Sequence, residues 1–228
     1  MQFLHAGVFT DGLRAAGDRP QDRPLNSIGS LPMGQRLVTR PARRATSRPD
    51  SAEVPPVSLS IFETEMGWFG LIGQGDVVLR ILIGHASAEQ VRSAAARAVK
   101  TIAGGTASTE SDWNPKLRRK LQDFARGIPT DFSEVKLELG RTTPFRKRVI
   151  EATRKIRYGR TLAYGELAAK AGSPGAARAI GTAMATNLFP IIVPCHRVIA
   201  SDGAIGGFSA PHGIELKKRL LDMEAEAR

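Results

Sequence analysis

Pro190-Ile191-Ile192-Val193-Pro194-Cys195-His196-Arg197-Val198-Ile199 is the stretch on which the reading of this chain turns. It holds the only cysteine among 228 residues, set beside a histidine and an arginine after an apolar run. A thiol is a weak nucleophile until it ionises, and its free pKa is about 8.5. A neighbouring cation or base brings the thiolate within reach at neutral pH. A buried, inert residue is the ordinary fate of a lone cysteine. Adjacent residues on an extended segment point apart, so the Cys-His pair does not by itself decide between the two.

The residues before this stretch read as mostly helical from Thr142 onward. Thr143 as N-cap and Pro144 at the first helical position predict a helix to about Ile156. Tyr158-Gly159-Arg160 breaks it. Tyr164–Ala171 reads as a short helix, Gly172-Ser173 as a turn, and Pro174 as the opening of a second helix to about Thr186. This is the outline of a helix-turn-helix, which many unrelated helix pairs share. The second helix runs Gly175, Ala176, Ala177, Arg178, Ala179, Ile180, Gly181. Small residues of this kind admit close backbone approach, either by a neighbouring helix or by a DNA groove with Arg178 reaching into the base stack.

Between Ser58 and Gly140 the pattern is different. Leu59–Glu65, Trp68–Ile72 and Val77–Ile83 read as short strands with Gly67 and Gly73-Gln74-Gly75-Asp76 as turns. Ser87-Ala88-Glu89-Gln90 resembles a helix start, with an alanine-rich helix from Val91 to Ile102. Trp113–Arg126 is a second helix stopped by Gly127, and Val135–Leu139 a further strand. No catalytic constellation is visible here, and His85 reads as a surface or turn residue. Residues 1–57 carry seven prolines, many arginines and little apolar periodicity, which predicts a tail without a packed core.

The net charge of +11 is unevenly spread. Residues 141–228 hold 15 basic against 7 acidic side chains, while residues 58–140 hold 10 of each. A basic module beside a neutral one suits a polyanion partner, most simply nucleic acid. No apolar run approaches the roughly 20 residues needed to cross a bilayer, and the N-terminus lacks a secretory pattern. One cysteine excludes an intrachain disulfide framework and a multi-thiolate metal cage. A reducing, cytoplasmic location is expected.

The string Pro194-Cys195-His196-Arg197-Val198 after Ile191-Ile192-Val193 resembles the active-site signature of the O6-alkylguanine-DNA alkyltransferases, also called methylated-DNA–protein-cysteine methyltransferases. The likeness continues in order through Thr143-Pro144-Phe145-Arg146, then Tyr158 to Ala168, then Gly172-Ser173-Pro174 with Ala177 to Gly181. It implies an α/β fold with a small ribonuclease-H-like N-terminal domain at 58–140. It also implies a mostly helical, winged-helix-like C-terminal domain at 141–228 bearing the helix-turn-helix. The implied function is stoichiometric DNA repair. Cys195 accepts the alkyl group from O6-alkylguanine in double-stranded DNA after the base is flipped. O4-alkylthymine is a further candidate substrate. Cofactors and metals are not expected, nor is a membrane partner, and the protein is expected to be a monomer.

The resemblance also implies roles. His196 acts as base through a bridging water, and Glu224 orients and charges it, which is triad logic applied to a thiol. Tyr164 donates toward the guanine ring and lies at the DNA face. The backbone N–H of Ser209 serves O6, within a loop that includes Phe208. Carbonyls of Cys195 and Val198 receive the exocyclic amine. Arg178, beside Ala177, fills the gap left by the flipped nucleotide, and Asn187 braces the turn before the active site. Two departures stand out: Leu188 replaces a usual proline, and Ala210-Pro211-His212-Gly213 replaces a glycine pair. Three rivals differ in class. A non-catalytic alkylated-DNA-binding protein would lack the cysteine, and an adaptive-response regulator needs a cysteine-rich metal module. A cysteine hydrolase would use Cys195 and His196, and because adjacent residues on an extended segment point apart, His196 would need the water and Glu224 to act.

Overall fold

The computed structural model describes residues 55–102 and 108–226. All but the last three residues of the expected tail therefore lie outside the described residues. Of those three, Val57 already opens the first strand and is buried.

Three antiparallel strands, β1 (Val57–Thr64), β2 (Gly67–Gln74) and β3 (Val77–His85), form a meander. A short strand, β4 (Ser108–Glu110), joins β1 in parallel, giving the order β3-β2-β1-β4. Alternation along the strands gives the sheet two apolar faces. Val57, Leu59, Ile72, Leu79 and Leu82 pack against Val91, Ala95, Ala98 and Val99 of helix α1 (Ala88–Ile102). Alanines and Gly70 bring this helix close: a Cβ at Gly70 would lie 2.5 Å from Val91 Cγ1. The α1 start carries the expected Ser87, whose hydroxyl accepts from Gln90 N at 3.3 Å.

The other face, with Phe62, Phe69, Leu71, Val78, Ile81 and Ile83, meets Leu117, Leu121 and Phe124 of helix α2 (Pro115–Ala125). The same core takes in Phe189, Ile191, Ile192 and Val193, the run before the cysteine. The apolar string is thus the anchor that fixes the thiol segment to the sheet.

Helix α3 (Pro144–Arg154) begins as expected, with Thr143 accepting from Arg146 N at 3.2 Å. It is followed by strand β5 (Leu162–Ala163) and helices α4 (Tyr164–Lys170) and α5 (Ala177–Ala185). Then come a single 3-10 turn at Cys195–Arg197, strand β6 (Val198–Ile199) parallel to β5, and helix α6 (Gly213–Glu226). Ile180, Ala183, Met184, Leu167, Ala168 and Val149 bind α3, α4 and α5 into a second core that also contains Cys195 and Val198.

Three expectations about elements change. Val135–Leu139 is no strand; Val78 N bonds Lys136 O and Glu138 N bonds Val78 O, and this single bridge is all its pairing with β3. The next contact on β3 comes instead from Leu188, whose carbonyl accepts from Ile81 N at 2.9 Å, so the two segments share that edge. The second helix of the helix-turn-helix opens at Ala177 rather than Pro174, because Gly175 has φ +84° and Ala176 N closes a turn onto Ser173 O. Strand β4 was not foreseen: its Ser-Thr-Glu sequence is too short to show a period.

Candidate active site

The Cys195 thiol sits where three elements converge: the turn after α5, the 3-10 turn, and α6. Asn187, in the turn after α5, ties them. Its Nδ2 donates to Val193 O at 2.8 Å and reaches Cys195 Sγ at 3.0 Å, while its Oδ1 accepts from Phe189 N at 3.0 Å. Between these contacts Ile191 adopts φ +73°, in the left-handed region. For a β-branched residue that costs roughly 1–3 kcal/mol and persists only where surrounding contacts overrule it. Leu188, in the place of the usual proline, does not leave the loop loose, since its carbonyl is held by β3 and its side chain packs on the core.

His196 is fully buried, and its Nε2 lies 2.8 Å from Glu224 Oε1. Burial alone would raise the Glu224 carboxyl, but hydrogen bonds and charge from His196 and Arg197 outweigh it and hold the carboxyl at about 2. A carboxylate only accepts, so Nε2 carries the ring proton. Burial pushes the imidazole down, as do the Arg197 and Lys217 charges, although Glu224 opposes them. The ring is therefore neutral with its lone pair on Nδ1, a buried atom with no hydrogen-bond partner among the described residues. No direct hydrogen bond joins this ring to the thiol among the described residues.

Arg197 does not serve the thiol. Its guanidinium makes three bonds of 2.8–3.1 Å to Glu224 and one of 2.6 Å to Ile156 O. Glu224 also accepts from Gly159 N at 2.9 Å. The cation that acts on Cys195 is Lys217, which sequence reasoning missed. It is 1% exposed, donates from Nζ to Val198 O at 2.7 Å, and stands 5.9 Å from the Tyr164 ring centre. Burial pushes the Cys195 thiol up; the Asn187 contact, the Lys217 charge and local backbone N–H groups pull the other way without overcoming it. The resting group is the protonated thiol. Lys217 could have been found from its spacing, because 217 and 220 share one helical face with Glu224.

Tyr164 opens α4 and is half-buried, its phenol raised first by burial and then by Cys195, so it remains a donor. Gly206 has φ +71°, and a Cβ there would sit 2.9 Å from Tyr164 Oη; the loop can pass this close only as glycine. Ser209 is exposed, and Phe208 packs at the meeting of both cores. Val198 O already accepts from Lys217, and Cys195 O from Val198 N. Each carbonyl keeps its second lone pair for a further donor.

Arg178 projects exposed from α5, next to half-buried Ala177. Its side chain makes no hydrogen bond or ion pair with the described residues. A Cβ added at Gly175 or Gly181 would meet nothing within 4 Å. Gly175 and Gly181 therefore face open space, while Ile180, Ala183 and Met184 of the same helix pack into the second core. His85, read as a turn residue, ends β3 and lines a cavity that reaches Cys195. Among the described residues no group of three or more His, Cys, Asp or Glu side chains could hold a metal.

Residues 144–226 match the family model described as the 6-O-methylguanine DNA methyltransferase DNA-binding domain. The methylated-DNA–protein-cysteine methyltransferase of Methanothermobacter thermautotrophicus is 43% identical over 109 residues, 48% of this chain and 60% of the relative. That of Methanopyrus kandleri is 43% identical over 108 residues, 47% of this chain and 78% of the relative. Among solved structures, Mycobacterium tuberculosis OGT in complex with DNA superposes with a TM-score of 0.61 at 33% identity, covering 75% of this chain and 94% of that one. The mixed sheet-and-helix architecture is shared with these structures.

Proposed function

The chain belongs to the methylated-DNA–protein-cysteine methyltransferase family, and on that footing we propose that it repairs DNA by moving an alkyl group from O6 of guanine onto Cys195, once per molecule. The observation that carries this reading is the setting of the thiol: a buried, protonated Cys195 held by Asn187, with a neutral histidine of fixed tautomer beside it.

O6 lies inside a stacked pair, so the guanine must leave the stack before sulfur can align behind the alkyl carbon. Arg178, on its open helix face, takes the vacated place, and Tyr164 and Ala177 line the point of entry. His196 Nδ1 takes the thiol proton through a water, and Glu224 holds the resulting imidazolium. Sγ attacks the alkyl carbon as the C–O6 bond breaks, and that electron pair passes to the guanine. The proton given up by the thiol returns to the base. Tyr164 and the Ser209 N–H donate to the rising charge, while Phe208 and the Cys195 and Val198 carbonyls seat the ring. A thioether is no activated ester, and no group beside Cys195 among the described residues is suited to cleaving it, so each molecule reacts once. The same reading makes residues 58–140 a ribonuclease-H-like domain and residues 141–228 a winged-helix-like domain with α4 and α5 as its helix-turn-helix. It places a monomer on duplex DNA in the cytoplasm.

Incubation with a duplex bearing one O6-methylguanine tests the proposal by intact mass. The protein should gain about 14 Da, the difference of one methyl for one proton, on Cys195 alone. Continued repair after one equivalent, or repair by Cys195→Ser, would refute it.

A further inference from the structure

The cavity that reaches Cys195 does not end at the space a methyl group needs. It has a volume of about 490 Å³ and runs between the loop Phe208–Pro211 and the first domain's β3 and α1. Its lining includes Cys195, Asn187, Pro190 and Phe208 together with Arg80, His85 and Arg97. Arg80 is half-buried in β3, and Arg97 projects from α1. Neither guanidinium has a hydrogen-bond or carboxylate partner among the described residues, whereas Arg92, Arg118 and Arg126 of the same domain all do. Burial first, and then the charges of Arg97 and His212, push the His85 imidazole down, so the positive charge of the lining comes from Arg80 and Arg97, with no carboxylate among the lining residues. Two guanidiniums without partners on the lining of one cavity favour an anion there.

We propose that this cavity gives the protein a preference for O6-alkylguanines whose alkyl chain ends in an anion, such as an ω-carboxyalkyl group, with Arg80 and Arg97 receiving the terminal charge. The inference rests on Cys195 being the alkyl acceptor. The chemistry of transfer is unchanged: the Sγ–C bond forms at the first chain carbon, the C–O6 bond breaks with its electron pair going to guanine, the thiol proton goes to the base, and the carboxylate passes through unaltered. The thioether product then lies along the cavity with its charge between the two guanidiniums. Arg–carboxylate pairing is strong and directional where water is partly excluded.

The test uses the full chain and one duplex sequence carrying O6-methylguanine, an O6-(ω-carboxyalkyl)guanine series of increasing chain length, or the matching primary amides. Single-turnover rates and the intact mass of the product are read for the wild type and for Arg80→Gln/Arg97→Gln. The wild type should favour some carboxylate over its amide by about tenfold or more, the size expected of a charge-assisted pair. The double variant should bring that ratio near one while reacting with O6-methylguanine as the wild type does. Equal rates for acid and amide at every length in the wild type overturn the proposal. So does a double variant that slows methyl, amide and acid substrates alike, because the arginines would then be holding the DNA backbone. Failure to methylate Cys195 at all would strike the underlying reading instead, so the two failures are distinguishable.

Discussion

Glu224 Oε1 lies 2.8 Å from His196 Nε2, and the same oxygen accepts from Arg197 Nη2 at 2.8 Å. One carboxylate thus fixes the tautomer of the base and neutralises a buried guanidinium. The two duties are inseparable in a single substitution, which shapes how Glu224 can be probed.

Glu224→Gln should slow transfer and also destabilise the fold, because Arg197 would be left as an uncompensated buried charge. The cost of breaking such a pair is roughly 3–5 kcal/mol. Urea denaturation gives that loss, and single-turnover rates at a temperature where the variant is folded give the other. Adding Arg197→Met should recover most of the stability, since an apolar replacement removes the stranded charge. The rate should not recover with it. Recovery of both would mean that Glu224 acts only through the fold.

Stability should fall in acid in two stages. Glu224 is held at about 2 in the folded protein, below the roughly 4.3 of an unfolded glutamate. Its contribution is therefore full above about pH 4.3 and is lost as pH drops toward 2. His196 is pushed down by burial, so the unfolded chain takes up its proton first, and stability begins to fall as pH drops through about 6.5. Urea midpoints measured from pH 8 to pH 3 should show a plateau followed by this decline. A flat line across that range would contradict the assignment of a neutral histidine on an ionised glutamate.

Lys217→Met should move the pH dependence of transfer to higher pH. The side chain is nearly isosteric, so packing is kept, but the positive charge that lowers the Cys195 thiol is gone. A shift on the order of one unit is expected from loss of a nearby opposite charge. Single-turnover rates against pH, together with the rate of Cys195 alkylation by iodoacetamide, read it directly. An unchanged profile in a less stable protein would assign Lys217 to folding alone.

Arg178→Ala should slow repair in duplex DNA and leave reaction with free O6-benzylguanine near its normal rate, provided the pocket admits that base, since nothing is flipped in that case. Arg178→Lys should keep part of the duplex activity, having the charge but lacking the planar stacking surface. Loss of both reactions in the alanine variant would show that Arg178 supports the Cys195 site instead. Loss of neither would leave it a solvated surface charge.

Much of the molecule could be read before any coordinates. The meander β1–β3, the Ser87 start of α1, the Thr143-Pro144 start of α3 and the helix pair around Gly172 all follow from local rules: side-chain period, caps and turn residues act over a few positions. The only thiol, its apolar leader and its histidine lie in one continuous string, so the candidate nucleophile was legible too. Contacts set by distant partners were not. No local rule makes the Ile191-Ile192-Val193 run join the core of a sheet some hundred residues earlier. None turns Arg197 away from the thiol toward Glu224, or places Lys217 inside beneath Val198. None opens a cavity from Cys195 to Arg80 and Arg97. Those depend on which surfaces α1, α6 and the 3-10 turn bury against each other. Burial, more than residue type, sets the charge state of each group in the site: it keeps Cys195 a thiol and His196 neutral, while paired donors keep Glu224 ionised.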